Sequence, residues 1–168
     1  MTTRRTLRYP AKISEGDWYA IPLRNGGYGV GIVARKGEGR ILFGYFFGPR
    51  RPQPPVLEDV RQLRAEDALF CKMFGDLGIH NGEWPFVGRL ETWSRDDWPF
   101  PLFSRIEDES RGIAWIVSYD ENDLTRTGTE RRCTLEEARR LPSSALAGYG
   151  AVEIVLTKKL SNPATTMQ

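Results

Sequence analysis

The chain has one histidine, His80, and two cysteines, Cys71 and Cys133, and that scarcity limits the chemistry open to it. Zinc sites usually draw several ligands from His and Cys, and a serine or cysteine nucleophile needs an oriented base beside it. Cys71 and Cys133 stand far apart with no CxxC, so neither a cysteine metal site nor a disulfide framework is expected, and both thiols should be buried or half-buried. His80 lies among Gly78, Asn81 and Gly82. That is turn composition, so a surface turn residue is the plainer reading and a binding or acid–base role the alternative. Carboxylates can work in pairs without histidine. The nearest candidates are Asp76 with Glu83, and Asp120, Glu121 and Asp123, but Asp120 to Asp123 reads most simply as a solvated turn leaving a strand and Asp76 as a turn former at a strand end.

Other motifs give no catalytic pattern. Gly26-Gly27-Tyr28-Gly29-Val30-Gly31 is glycine-rich, but a dinucleotide fingerprint needs a helix after it to meet the pyrophosphate, and a strand pattern follows. Arg50-Arg51 and Arg131-Arg132 could touch phosphates, yet each reads as an isolated pair in a loop rather than part of a basic stripe. Trp84, Trp93 and Trp98 lie beside prolines or charges, which suits both core residues and interface anchors.

The elements that position these residues are mostly strands. In Asp17 to Leu23, Asp17, Tyr19, Ile21 and Leu23 alternate with Trp18, Ala20 and Pro22, the period of two that a strand requires. Asn25-Gly26 supplies a type I′ turn signal and a return strand runs to Val33. Lys36-Gly37-Glu38-Gly39 marks a second turn before the strand Arg40 to Phe47. Gly29, Gly31 and Gly44 inside strands suggest sharp coiling or close backbone approach. The Gly48–Pro55 segment, with its prolines, reads as a crossover loop. Val56, Val60 and Leu63 permit a short helix. Ala68 to Phe74 reads as a strand with Trp84 to Leu90 as its returning partner, Trp93 to Pro101 as an ordered irregular loop, and Ile113 to Tyr119 as a strand. Thr134-Leu135-Glu136-Glu137 is a capping box opening a helix to about Arg140. Ala151 to Leu160 fits both periods and is read as a helix.

The predicted fold is α+β and predominantly β: a coiled antiparallel sheet or small SH3-like partial barrel with two or three short helices. At 168 residues one domain is expected, over residues 14–160, with a basic tail at 1–13 and a frayed one at 161–168. Arg4, Arg5, Arg8 and Lys12 precede the first acid, Glu15, so the net charge of +2 reflects the tail rather than a basic surface. That argues against a nucleic-acid partner. No secretory apolar region and no membrane-length apolar run occurs, so a soluble, cytoplasmic chain is expected.

The opening hairpin, together with Phe74-Gly75-Asp76-Leu77-Gly78-Ile79-His80-Asn81-Gly82-Glu83-Trp84-Pro85-Phe86-Val87-Gly88, is similar to immunity protein family 26 of bacterial contact-dependent and polymorphic toxin systems. The resemblance continues through Trp98 to Phe103, Val117 to Asp120 and Gly148 to Glu153, and so spans roughly residues 14 to 160. It implies a non-enzymatic protein, with no cofactor or metal, that neutralises a cognate toxin protein by occluding its active or functional surface. Trp93, Asp96, Asp97 and Trp98 are the expected partner-binding residues, chosen for the charged and aromatic composition of their loop. Two alternatives stay open: an SH3-like-barrel ribonuclease toxin, from whose pattern the chain departs after Arg40, and a generic nucleic-acid- or protein-binding regulatory module.

Overall fold

The computed structural model describes residues 12–161. The strands are β1 (Asp17–Pro22), β2 (Tyr28–Lys36), β3 (Ile41–Arg51), β4 (Phe70–Gly75), β5 (Phe86–Arg89), β6 (Phe103–Asp108), β7 (Ile113–Asp120) and β8 (Asp123–Cys133). The helices are α1 (Leu57–Val60), α2 (Leu77–His80), α3 (Leu135–Arg139) and α4 (Tyr149–Leu160). Two antiparallel sheets result, a five-stranded one in the order β4-β3-β2-β1-β5 and a three-stranded one in the order β6-β7-β8. The fold is thus α+β and mostly β, with an open sheet and no closed barrel. The tail expected at 1–13 lies largely outside the described residues, as does 162–168. Ile13, the last residue of the expected first tail, is buried at 3% exposure.

The period of two in β1 has a direct structural meaning, because both faces of the large sheet are buried. Tyr19, Ile21 and Leu23 join one core with Val33, Phe46, Phe74, Trp84 and Leu156 of α4. Trp18 joins the other, with Val30, Ile32, Phe43, Phe47, Trp98, Phe103 and Leu124. One face is covered by α4 and the other by the second sheet and the loop before it. Trp84 Nε1 donates to Glu153 Oε2 of α4 at 2.9 Å, which ties the helix down. Gly29 faces α4, and a Cβ there would lie 2.6 Å from Leu156 Cδ2 and 3.0 Å from the Phe47 carbonyl. The strand glycine is therefore what lets the helix approach.

Several expectations are corrected. The first turn is not a two-residue Asn-Gly turn. Positive φ falls on Gly26 (93°) and Gly27 (77°) and, among the described residues, on no residue other than glycine, and the turn closes through Leu23 N–H to Gly27 O at 2.9 Å. Two adjacent glycines take the left-handed positions without steric cost, so Asn25 is not needed there. The Gly48–Pro55 segment is not wholly a loop, since β3 continues through the cis Gly48–Pro49 bond to Arg51. The pairing with β2 shifts register between Val30↔Phe47 and Tyr28↔Arg51, so Pro49 sits in a bulge that needs no ladder donor. β5 pairs with β1 rather than with β4, because β4 has β3 on one side and Ala147 bridged to Phe74 on the other. Arg50-Arg51 and Arg131-Arg132 lie in strands, not loops. The capping box forms as read, with Glu137 N–H donating to Thr134 Oγ1 at 3.1 Å, and 149–160 is helical.

Two measurements test this packing. Gly29→Ala should destabilise the chain by about 1–3 kcal/mol in chemical denaturation, because neither Leu156 nor the β3 backbone can withdraw freely. Asp17 is buried at 4% exposure. It accepts Ser14 N–H at 2.8 Å and lies 3.4 Å from the Tyr19 hydroxyl. Burial raises its carboxyl above the ordinary 3.8, outweighing the Ser14 hydrogen bond and the nearby Arg89 charge. A raised folded value means that its contribution is present below the unfolded pKa and is lost as pH climbs through the folded one. The stability of Asp17→Asn relative to wild type should therefore increase as pH rises through that window.

Candidate binding cleft

The loop from Thr92 to Phe100 folds over one face of the large sheet, and Trp98 is its anchor. Trp98 is 6% exposed and packs edge-on against Trp18 at 5.7 Å, Tyr45 at 5.4 Å and Phe47 at 6.1 Å between ring centroids, with Trp93 stacked at 6.4 Å. The Tyr45 hydroxyl donates to the Pro99 carbonyl. Burial, with a smaller contribution from Cys71, pushes Tyr45 up to about 12, so that hydroxyl keeps its donor proton at neutral pH. Between the aromatic pair and a short turn at Arg95–Asp97 the loop has little freedom.

Arg95 fixes the other side of the loop. Its Nε lies 3.2 Å from Glu15 Oε2, as an ion pair rather than an aligned hydrogen bond. Its Nη2 donates to the Glu121 carbonyl and to Asn122 Oδ1, both at 3.0 Å. Glu121 in turn accepts from the buried Arg35 at 3.0 Å. Arg95 thus turns toward the start of β1 and the β7–β8 turn, while its neighbours Asp96 and Asp97 face solvent. The turn charges Asp120 to Asp123, read from sequence as solvated, are therefore split. Glu121 is structural, and Asp123 opens β8, accepting from the Thr125 amide at 3.1 Å.

Beside the loop is a cleft of about 740 Å³. Trp18, Ile32, Tyr45 and Trp98 line its interior with the half-buried Trp93, and Arg61, Arg64, Glu66 and Asp97 stand among its polar residues. Of the expected partner residues, Trp93, Asp97 and Trp98 line this cleft and Asp96 is exposed next to it. Trp98 is buried, so it belongs to the floor and Trp93 to the accessible wall. Sequence reasoning did not include Arg61, Arg64 and Glu66, which come from the connection between β3 and β4. Nothing in their local pattern signals a neighbour about thirty residues away. A second groove, of about 720 Å³, lies by α4 and includes Leu23, Arg24, Leu77, Glu83, Tyr149 and Glu153, with Arg24 Nε 3.3 Å from Glu153 Oε1.

The remaining sequence candidates fall elsewhere. His80 Nε2 is 2.9 Å from Asp76 Oδ2 one helical turn away, and Glu83 is held locally by Asn81, so Asp76 and Glu83 make no carboxylate pair through these contacts. Cys71 is half-buried and lifted to about 11 by desolvation; Cys133 is half-buried in β8. Among the described residues no three of His, Cys, Asp and Glu form a metal-holding group, and no helix is long and apolar enough to cross a membrane.

If Arg95 positions the loop, Arg95→Ala should make the 91–100 segment the first site of limited proteolysis. It should also lower stability by about 1–2 kcal/mol, because the Glu121 carbonyl and Asn122 lose their donor. Unchanged cleavage kinetics would contradict that role.

No curated protein and no solved structure matches the chain. The family model described as Immunity protein 26 matches residues 14–112, a span that runs from just before β1 through the large sheet, the cleft loop and β6. The match stops short of β7, β8, α3 and α4, where the sequence resemblance extends to about residue 160. The large sheet and the cleft loop both lie inside it, and the chain belongs to the Immunity protein 26 family.

Proposed function

We propose that the chain is an immunity protein that binds a cognate toxin in the cytoplasm of the bacterium that makes it and blocks the toxin's active or functional surface. It acts by binding and not by catalysis. The observation that carries this reading is the cleft itself. Within the family-matched region, a half-exposed tryptophan and two solvent-facing carboxylates, Trp93, Asp96 and Asp97, are presented on a loop held rigid by Trp98 and Arg95. Aromatic anchors on pre-organised elements supply most of the energy of protein interfaces, because little side-chain freedom is lost on docking. Trp93, Asp96, Asp97 and the floor residue Trp98 are the proposed contact set.

The test uses candidate toxin domains taken from genes neighbouring the one for this chain. Co-expression of the wild-type chain should restore growth to cells that make the toxin, and Trp93→Ala should weaken binding about tenfold or more with an unchanged circular dichroism spectrum. Failure of the wild-type chain to bind or protect would refute the immunity reading. Cleavage of purified RNA by the chain alone, lost on changing one carboxylate, would instead support the ribonuclease alternative.

A further inference from the structure

We infer that the cleft receives a lysine or arginine side chain of the toxin, held between the indole of Trp93 and the carboxylates of Asp96 and Asp97. The inference rests on the toxin-binding reading and specifies its chemistry. Charge around the cleft is what carries it. The two guanidiniums that line it are already engaged: Arg61 Nε lies 3.1 Å from Glu58 and its Nη1 3.4 Å from Glu91, and Arg64 lies 3.8 Å from Glu66. Arg95, the cation inside the loop, is drawn away to Glu15 and Glu121. Arg89, exposed beside Trp93, acts on the buried Asp17. Asp96 and Asp97 face solvent, and among the described residues neither has an ion-pair partner. Two solvent-facing carboxylates on the loop that carries a half-exposed indole favour a cation, by Coulomb attraction and by contact with the exposed part of the ring. An acidic or purely apolar anchor would meet repulsion or leave the carboxylates desolvated without a partner.

The occupant is a partner of this chemistry, and the chain's own cations give a control. Lys158 and Lys159 are exposed at the end of α4, which packs on the other face of the large sheet. Charge reversal there should not reach the cleft.

The experiment measures association of the purified full chain with the toxin domain that it protects cells against in the co-expression test, at low and moderate salt. Asp96→Lys/Asp97→Lys should lower affinity at least tenfold, chiefly through a slower association rate with a flattened salt dependence. Lys158→Glu/Lys159→Glu should leave both unchanged. A Lys→Glu or Arg→Glu substitution at one position of the toxin should restore binding to the Asp97→Lys variant. Both aspartates are exposed, so the variants should fold as the wild type does, and thermal denaturation checks this. If the wild-type chain binds the toxin and the Asp96→Lys/Asp97→Lys variant binds equally well, the inference is overturned while the immunity reading stands. If the wild-type chain does not bind, the immunity reading fails and this inference with it. Loss of self-association in the Asp96→Lys/Asp97→Lys variant, with toxin binding intact, assigns the cleft to a second copy and likewise overturns it.

Discussion

The large sheet has two buried faces, and most of the architecture answers that constraint. A sheet with both sides apolar must be covered twice. Strand β1 shows the demand residue by residue, with Tyr19 and Ile21 entering one core and Trp18 the other. On the first side the cover is α4, admitted by Gly29 and tied by the hydrogen bond from Trp84 to Glu153. On the second side a single helix does not do the work. The cover there is assembled from Trp98, Phe103 of β6 and Leu124 of β8, so the loop joining the two sheets becomes part of the core.

That assembly explains why the loop is both rigid and exposed. Trp98 spends its surface on the core, and Arg95 spends its charge on Glu15 and the β7–β8 turn. Of the residues between and beside them, Trp93 shares in the packing through its stack on Trp98 but stays half exposed, and Asp96 and Asp97 face outward. A binding surface arises where a loop is fixed by its neighbours' contacts and its remaining side chains are free to meet a partner. Electrostatics follow the same division, because Arg61, Arg64 and Arg95 are paired with carboxylates of the fold, while Arg89, exposed beside Trp93, lies near the buried Asp17.

Much of this was legible in the sequence wherever local physics decides the outcome. The alternation in β1, the capping box at Thr134 and the irregular loop around Trp93 to Pro101 follow from side-chain period, cap chemistry and proline placement, and they stand in the structure. Strand order was not legible, since β5 is turned away from β4 by the distant Ala147 bridge. Strand β8 was also missed, because its residues from Thr125 to Arg132 are all exposed and show no apolar alternation. Its pairing with β7 makes it a strand. At the cleft, the aromatic and acidic composition of the loop pointed to Trp93, Asp96, Asp97 and Trp98, but which tryptophan faces inward depends on Trp18 and Tyr45, far away in the chain.

The central claim is that the cleft beside the 92–100 loop is where a toxin is held. Hydrogen–deuterium exchange of the chain, alone and saturated with its toxin domain, tests it most directly. The account predicts new protection in the segments around residues 61–66 and 91–99, with the amides of α4 unchanged. Protection confined to α4, or to the exposed edge of β8, would contradict it.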